Sequence, residues 1–257
     1  MTVDEHIAAV DTAGRALTDA AAAAGPDAVV ATCPGWRVRD LLRHTAMVHR
    51  WATGFVAEGY TSYRPGDAEP ELDGAELLAH FRAGHARLVA ALRAAPASLE
   101  CWTFLPGASP LAFWARRQAH ETTVHRVDAE SALPAHGATH GAAPVDTALA
   151  VDGIDELLCS FHARERSRVR TPEPRVLRVR ATDTGDVWTV RLSPEAPVTE
   201  RGGAEAAVGT AADCELGGPA DRLYLTLWNR LPHGAVTVTG DASLARLWRE
   251  TSAITWS

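Results

Sequence analysis

Residues 38–57 read VRDLLRHTAMVHRWATGFVA, and their spacing decides the first half of the fold. Leu41, His44, Val48, Trp51 and Phe55 recur at three- and four-residue intervals, which places them on one face of a helix. Upstream, residues 4–24 form a second Ala-rich periodic stretch that stops at Gly25-Pro26. Between the two lies a tight lead-in segment, Thr32-Cys33-Pro34-Gly35-Trp36. Downstream, a polar loop near 60–73 precedes a third predicted helix, 75–95, which stops at Pro96. A fourth runs from about Ser109 to Ser131, and a fifth from Val145 to Arg166 beyond a linker-like stretch, Pro134 to Pro144. Long helices in succession suggest an up-and-down bundle.

The period changes near Arg168. Val176-Leu177-Arg178-Val179-Arg180 and Val187-Trp188-Thr189-Val190-Arg191-Leu192 alternate with period two, and Thr184-Gly185-Asp186 between them signals a hairpin. Further strand-like stretches fall at 197–201, 206–216 and 235–239, with helical ones at 221–230 and 243–251. The fold class expected is therefore α+β: a helical bundle over residues 1–167, then a small α+β domain over 168–257.

The chain carries a formal net charge of −7 and no dense basic run, which argues against nucleic acid or an anionic membrane as partner. No segment approaches the roughly 20 apolar residues needed to span a bilayer. MTVDEHIAAV opens acidic, unlike a secretory signal. Cys33, Cys101, Cys159 and Cys214 are scattered with no C-x-x-C pair, so neither a disulfide framework nor a structural zinc site is expected. The expectation is a cytoplasmic monomer with reduced thiols, Cys33 being a buried, inert one.

Chemistry concentrates at three residues. Glu121 and His125 are four apart on the fourth predicted helix, so they share a face that runs back through Gln118 to Trp114 and Leu111. A carboxylate facing a core is costly unless paired or bound to a cation. His44 raises the same question from the apolar stripe of its own helix. Three N/O donors from two helices match the plan of a catalytic zinc site. Two plainer readings fit the same spacing: a surface ion pair for Glu121 and His125, and a hydrogen-bonded core histidine for His44.

The segment Cys33-Pro34-Gly35-Trp36-Arg37-Val38-Arg39-Asp40-Leu41-Leu42-Arg43-His44 resembles a signature of the actinobacterial mycothiol-dependent maleylpyruvate isomerases. His120-Glu121-Thr122-Thr123-Val124-His125-Arg126 is similar to their second motif, and Ala150 to Leu158 to the helix closing their N-terminal domain. Leu227-Trp228-Asn229-Arg230 and Val238-Thr239-Gly240-Asp241 resemble parts of their sterol-carrier-like C-terminal domain. The resemblance implies a DinB-like four-helix bundle of up-down-down-up type, with zinc on His44, Glu121 and His125. It implies mycothiol as thiol cosubstrate and a small electrophile as acceptor. In the implied reaction a thiolate adds to the cis double bond of maleylpyruvate, the adduct rotates, and the thiol leaves to give fumarylpyruvate. The resemblance equally implies thiol S-transfer, in which the same activated sulfur is put onto a different electrophile.

Arg230 is similar to a family arginine expected to contact substrate, where a guanidinium suits a carboxylate; an arginine capping its own helix is the plainer role. Asp128, three after His125, is either a hydrogen-bond partner of that ring or a solvent-facing residue. His120 lies about 100° around the helix from Glu121 and His49 turns off the apolar stripe, so both are expected to be structural or solvent-facing. Zinc is preferred, though two histidines and a carboxylate also suit other divalent ions. A non-catalytic small-molecule binding module, a zinc hydrolase on the same bundle and a regulatory protein are the alternatives.

Overall fold

The computed structural model describes residues 1–134, 143–203 and 211–254. The chain divides into two compact units, Met1–Ala143 and Pro144–Ser257. Among the described residues no helix is long and apolar enough to cross a membrane.

The first unit is four helices: α1 (Val3–Ala24), α2 (Val38–Glu58), α3 (Gly74–Ala94) and α4 (Pro110–Glu130). Their starts follow local chemistry. Thr2 and Glu5 close a capping box on α1, and Ser109 accepts from Ala112 N–H with Pro110 at the first turn of α4. Gly59 ends α2 in the left-handed conformation, its N–H donating to the Phe55 carbonyl.

Helix directions follow from side-chain pairs. His44 meets Glu121 and Trp51 meets Trp114, so α2 and α4 run antiparallel. Arg39 pairs with Asp73, and His49 packs on Phe81 and His85, so α2 and α3 are parallel. Asp11 bonds Arg93, while Leu17 and Ala21 share a cluster with Leu77 and Phe81, so α1 and α3 are antiparallel. His6 lies beside His120, and Ala20 shares that cluster with Ala129, so α1 and α4 are parallel. The order is up-down-down-up. A plain up-and-down bundle does not form, because α1 and α2, like α3 and α4, are diagonal partners that scarcely touch. The connection 59–73 makes this possible: fifteen residues span up to about 50 Å, enough to return along a helix of about 31 Å.

The second unit begins with α5 (Thr147–Glu156) and a π-helical turn (Leu157–Phe161). The single helix expected over 145–166 is thus shorter, and its backbone loosens where the His162 N–H reaches the Leu157 carbonyl. That stretch was expected to belong with the bundle, ahead of a boundary at 167/168; it packs instead on α6 within the second unit. The linker-like stretch lies largely outside the described residues.

A five-stranded sheet follows: β1 (Arg175–Ala181), β2 (Asp186–Leu192), β3 (Val198–Gly203), β4 (Cys214–Gly218) and β5 (Thr237–Gly240), in spatial order β3-β2-β1-β4-β5. Among the described residues only β1 and β4 pair in parallel. The period-two pattern has its expected effect in β1, where Leu177, Val179 and Ala181 are buried and Arg180 is exposed. Helices α6 (Ala220–Leu227) and α7 (Ala242–Thr251) pack on the sheet and bury Leu223, Leu244 and Trp248. The first part of the predicted 206–216 strand lies outside the described residues.

Candidate metal centre

The donors come from the antiparallel pair α2 and α4. His44 Nε2 lies 3.6 Å from Glu121 Oε1, and His125 Nε2 lies 3.2 Å from the same oxygen. One ligand atom from each of the three falls within 4.8 Å of the others. Donors about 2.0–2.1 Å from a tetrahedral ion sit roughly 3.3 Å apart, so the observed spacing fits a small divalent cation. The two rings meet nearly edge to face, their centroids 5.2 Å apart.

The second Glu121 oxygen and His125 Nδ1 have close partners, and His44 Nδ1 faces a more distant carboxylate. Arg117 Nη2 lies 3.2 Å from Glu121 Oε2, leaving Oε1 to face the histidines. His125 Nδ1 is 2.9 Å from Asp128 Oδ2, and His44 Nδ1 is 3.8 Å from Glu69 Oε1. Trp36, from the lead-in segment, stacks near His125 and tilts against His44, at centroid distances of 6.3 and 5.2 Å. Gly35 allows this by taking a φ of 88°, a value open to glycine, in the turn just before Trp36.

Burial by itself would raise the Glu121 carboxyl pKa. Hydrogen bonds from His125 and His44, with the charges of His125 and Arg117, outweigh that and hold it well below the ordinary carboxylate value. Burial would likewise depress His125, but hydrogen bonds to Asp128 and Glu121 push it up to about 9. Without a cation, glutamate and imidazolium therefore balance each other's charge.

The sequence brought out His44, Glu121 and His125, and these three converge. Arg230 is in the second unit, just after α6; its Nη1 donates to the Trp228 carbonyl at 2.8 Å, a contact of the capping kind. His49 is buried on Thr122 and His120 is buried beside His6, the structural option for both. Asp128 is fully buried, not solvent-facing. None of the four cysteines forms a disulfide, and Cys33 is only partly buried. Arg117, Glu69, Thr32 and the stacking of Trp36 went unrecognised. Only Arg117 left a signal, its four-residue spacing to Glu121.

The family model described as the mycothiol maleylpyruvate isomerase N-terminal domain matches residues 5–130. The MDMPI C-terminal domain model matches residues 148–247. Among solved structures, a crystal structure of the mycothiol-dependent maleylpyruvate isomerase shares the fold at 12% identity and a TM-score of 0.62, over 93% of each chain. A histidine-to-alanine mutant of the enzyme of that name matches at 11% identity and 0.63, again over 93% of each chain. No curated protein matches the chain. With both domain models matched in order along its length, the chain belongs to the mycothiol-dependent maleylpyruvate isomerase family.

Proposed function

We propose that the protein holds a divalent metal, zinc by preference, on His44, Glu121 and His125. With it the protein activates a small thiol, mycothiol, for attack on a small electrophile. The observation that carries this reading is the convergence of two imidazole nitrogens and one carboxylate oxygen on a single point in a buried region of the bundle. Two neutral imidazoles and one carboxylate leave a divalent ion a net positive charge. When bound, such an ion supplies the charge that keeps a thiol deprotonated, and hence nucleophilic, at neutral pH.

The chain's own residues set the conditions. Arg117 takes one Glu121 oxygen, so the carboxylate offers the other alone. Trp36 covers one side of both imidazoles and restricts water there. Family membership favours a maleylpyruvate isomerase-like cis–trans isomerisation; S-transfer to another electrophile would use the same activated sulfur. Arg230 is proposed as a contact for an acidic substrate.

The test is metal content. The parent protein should purify with near-stoichiometric metal and the Glu121→Gln variant with little, and turnover of an electrophile should require added mycothiol. A parent that neither contains nor takes up zinc would sink the enzyme reading, and turnover indifferent to thiol would point to a hydrolase. Replacing Arg230 with Ala should slow turnover of a carboxylate substrate with metal unchanged; unaltered kinetics would leave it a helix cap.

A further inference from the structure

The two histidines are held very differently on their outer sides. His44 Nδ1 faces Glu69 at 3.8 Å, beyond hydrogen-bond range, and the Glu69 side chain is 48% exposed. His125 Nδ1 faces Asp128 at 2.9 Å, and Asp128 is fully buried. Asp128 is fixed in turn from outside its own helix. The Thr32 hydroxyl donates to Asp128 Oδ1 at 2.5 Å. Ser131 Oγ lies 3.2 Å from the same Thr32 oxygen and donates to the Asp128 carbonyl at 2.7 Å. Thr32 belongs to the lead-in segment that also carries Trp36. One short stretch therefore reaches the His125 imidazole twice, by stacking and through Asp128.

We propose that Asp128, locked by Thr32, is a positioning residue that fixes the His125 ring and tautomer, so that metal affinity depends on a chain running His125–Asp128–Thr32. This rests on the metal reading above and adds to it. An ionised carboxylate only accepts hydrogen bonds, so the ring nitrogen facing Asp128 must carry the proton. The proton then sits on Nδ1, and the lone pair sits on Nε2, the nitrogen directed at Glu121. Without Asp128 the proton could occupy either nitrogen, and the tautomer protonated at Nε2 would present a donor where an acceptor is needed. Thr32 holds the carboxylate by its other oxygen, which keeps Oδ2 turned to the ring. His44 has no such fixed partner, so the asymmetry predicts unequal effects from removing the two carboxylates.

The experiment measures zinc affinity by chelator competition in the full-length parent and in the Asp128→Asn, Thr32→Val and Glu69→Gln variants. Imidazole nitrogen NMR of the zinc-loaded parent accompanies it. Asp128→Asn should weaken zinc by roughly ten- to a hundredfold, Thr32→Val by less, and Glu69→Gln by about twofold or under. The spectra should show His125 bound through Nε2 with the proton on Nδ1. If Asp128→Asn fails to fold, Thr32→Val, at a partly exposed position, carries the affinity test with the parent spectrum. Parental affinity in the folded Asp128 variant or in Thr32→Val, equal losses from the Asp128 and Glu69 changes, or His125 bound through Nδ1 would each overturn this inference while leaving the metal site standing. A parent that binds no zinc would instead bring down the metal reading, and this inference with it.

Discussion

At the residue scale, Glu121 shows how a buried charge is made tolerable. Its carboxylate is nearly enclosed, with Arg117 on one oxygen and the histidines on the other. Removing one partner of a buried pair is costly, about 3 kcal/mol, and without Arg117 the Glu121 oxygen it holds is left buried with only the histidines to offset the charge. Arg117→Met should therefore lower the stability of the metal-free protein by about that much in urea unfolding. The loss should shrink once zinc is bound, because the cation then also neutralises Glu121. Equal losses with and without zinc would mean that Arg117 and the ion do not share the task of balancing this carboxylate. The Arg117–Glu121 spacing was readable in the sequence, but the desolvation that gives it weight was not.

At the element scale, α4 is the least predictable part of the bundle. Every residue from Arg117 to Glu130 is buried, although Arg117, Gln118, His120, Glu121, His125, Arg126, Asp128 and Glu130 are polar or charged. A helix so polar reads as one with an exposed face. The sequence implied an inward lane only, and burial on all sides emerged from the tertiary structure. Between α1 and α3 the fit is steric. A Cβ at Gly14 would lie 2.2 Å from His85 Cε1, so the absent side chain makes room for the imidazole. Alanine would favour the helix by about 1 kcal/mol, yet overpacking costs about 1–3 kcal/mol. Gly14→Ala is expected to destabilise the protein on balance, and to be neutral or stabilising in a His85→Ala background. A double-mutant cycle checks this, and a coupling energy near zero would contradict the contact.

At the scale of the whole molecule, each unit buries a neutral histidine. In the first, burial beside His85, His125 and His44 pushes His49 down to about 3. In the second, burial, with Arg164 and Arg168 adding to it, pushes His162 down to about 4. Unfolded, both rings take up a proton near pH 6.5. Between the folded and unfolded values the unfolded chain binds more protons, so stability is lost as pH falls from about 6.5 towards 4. The His162 share is on the order of 2 kcal/mol at pH 4.5. Urea midpoints of the parent and of His162→Asn, followed from pH 7 to 4.5, should show a shallower acid decline in the variant. Parallel curves would mean that His162 does not titrate as a buried ring.

Local rules sufficed for the four helices of the bundle, the β1–β2 hairpin and the pairing of Glu121 with His125, because periodicity, caps and four-residue spacing act within a few residues along the chain. Family motifs in the sequence supplied His44 as the third donor. Helix periodicity alone suggested a plain up-and-down bundle and the family resemblance implied the up-down-down-up order, which the tertiary structure establishes, since helix direction depends on what the long connections bring together. Only the tertiary structure moved the helix at 147–156 into the second unit and put Thr32, Glu69 and Trp36 around the donors. The Thr32–Asp128 contact joins residues 96 apart in the chain, and its strength comes from burial of Asp128, which no local pattern records.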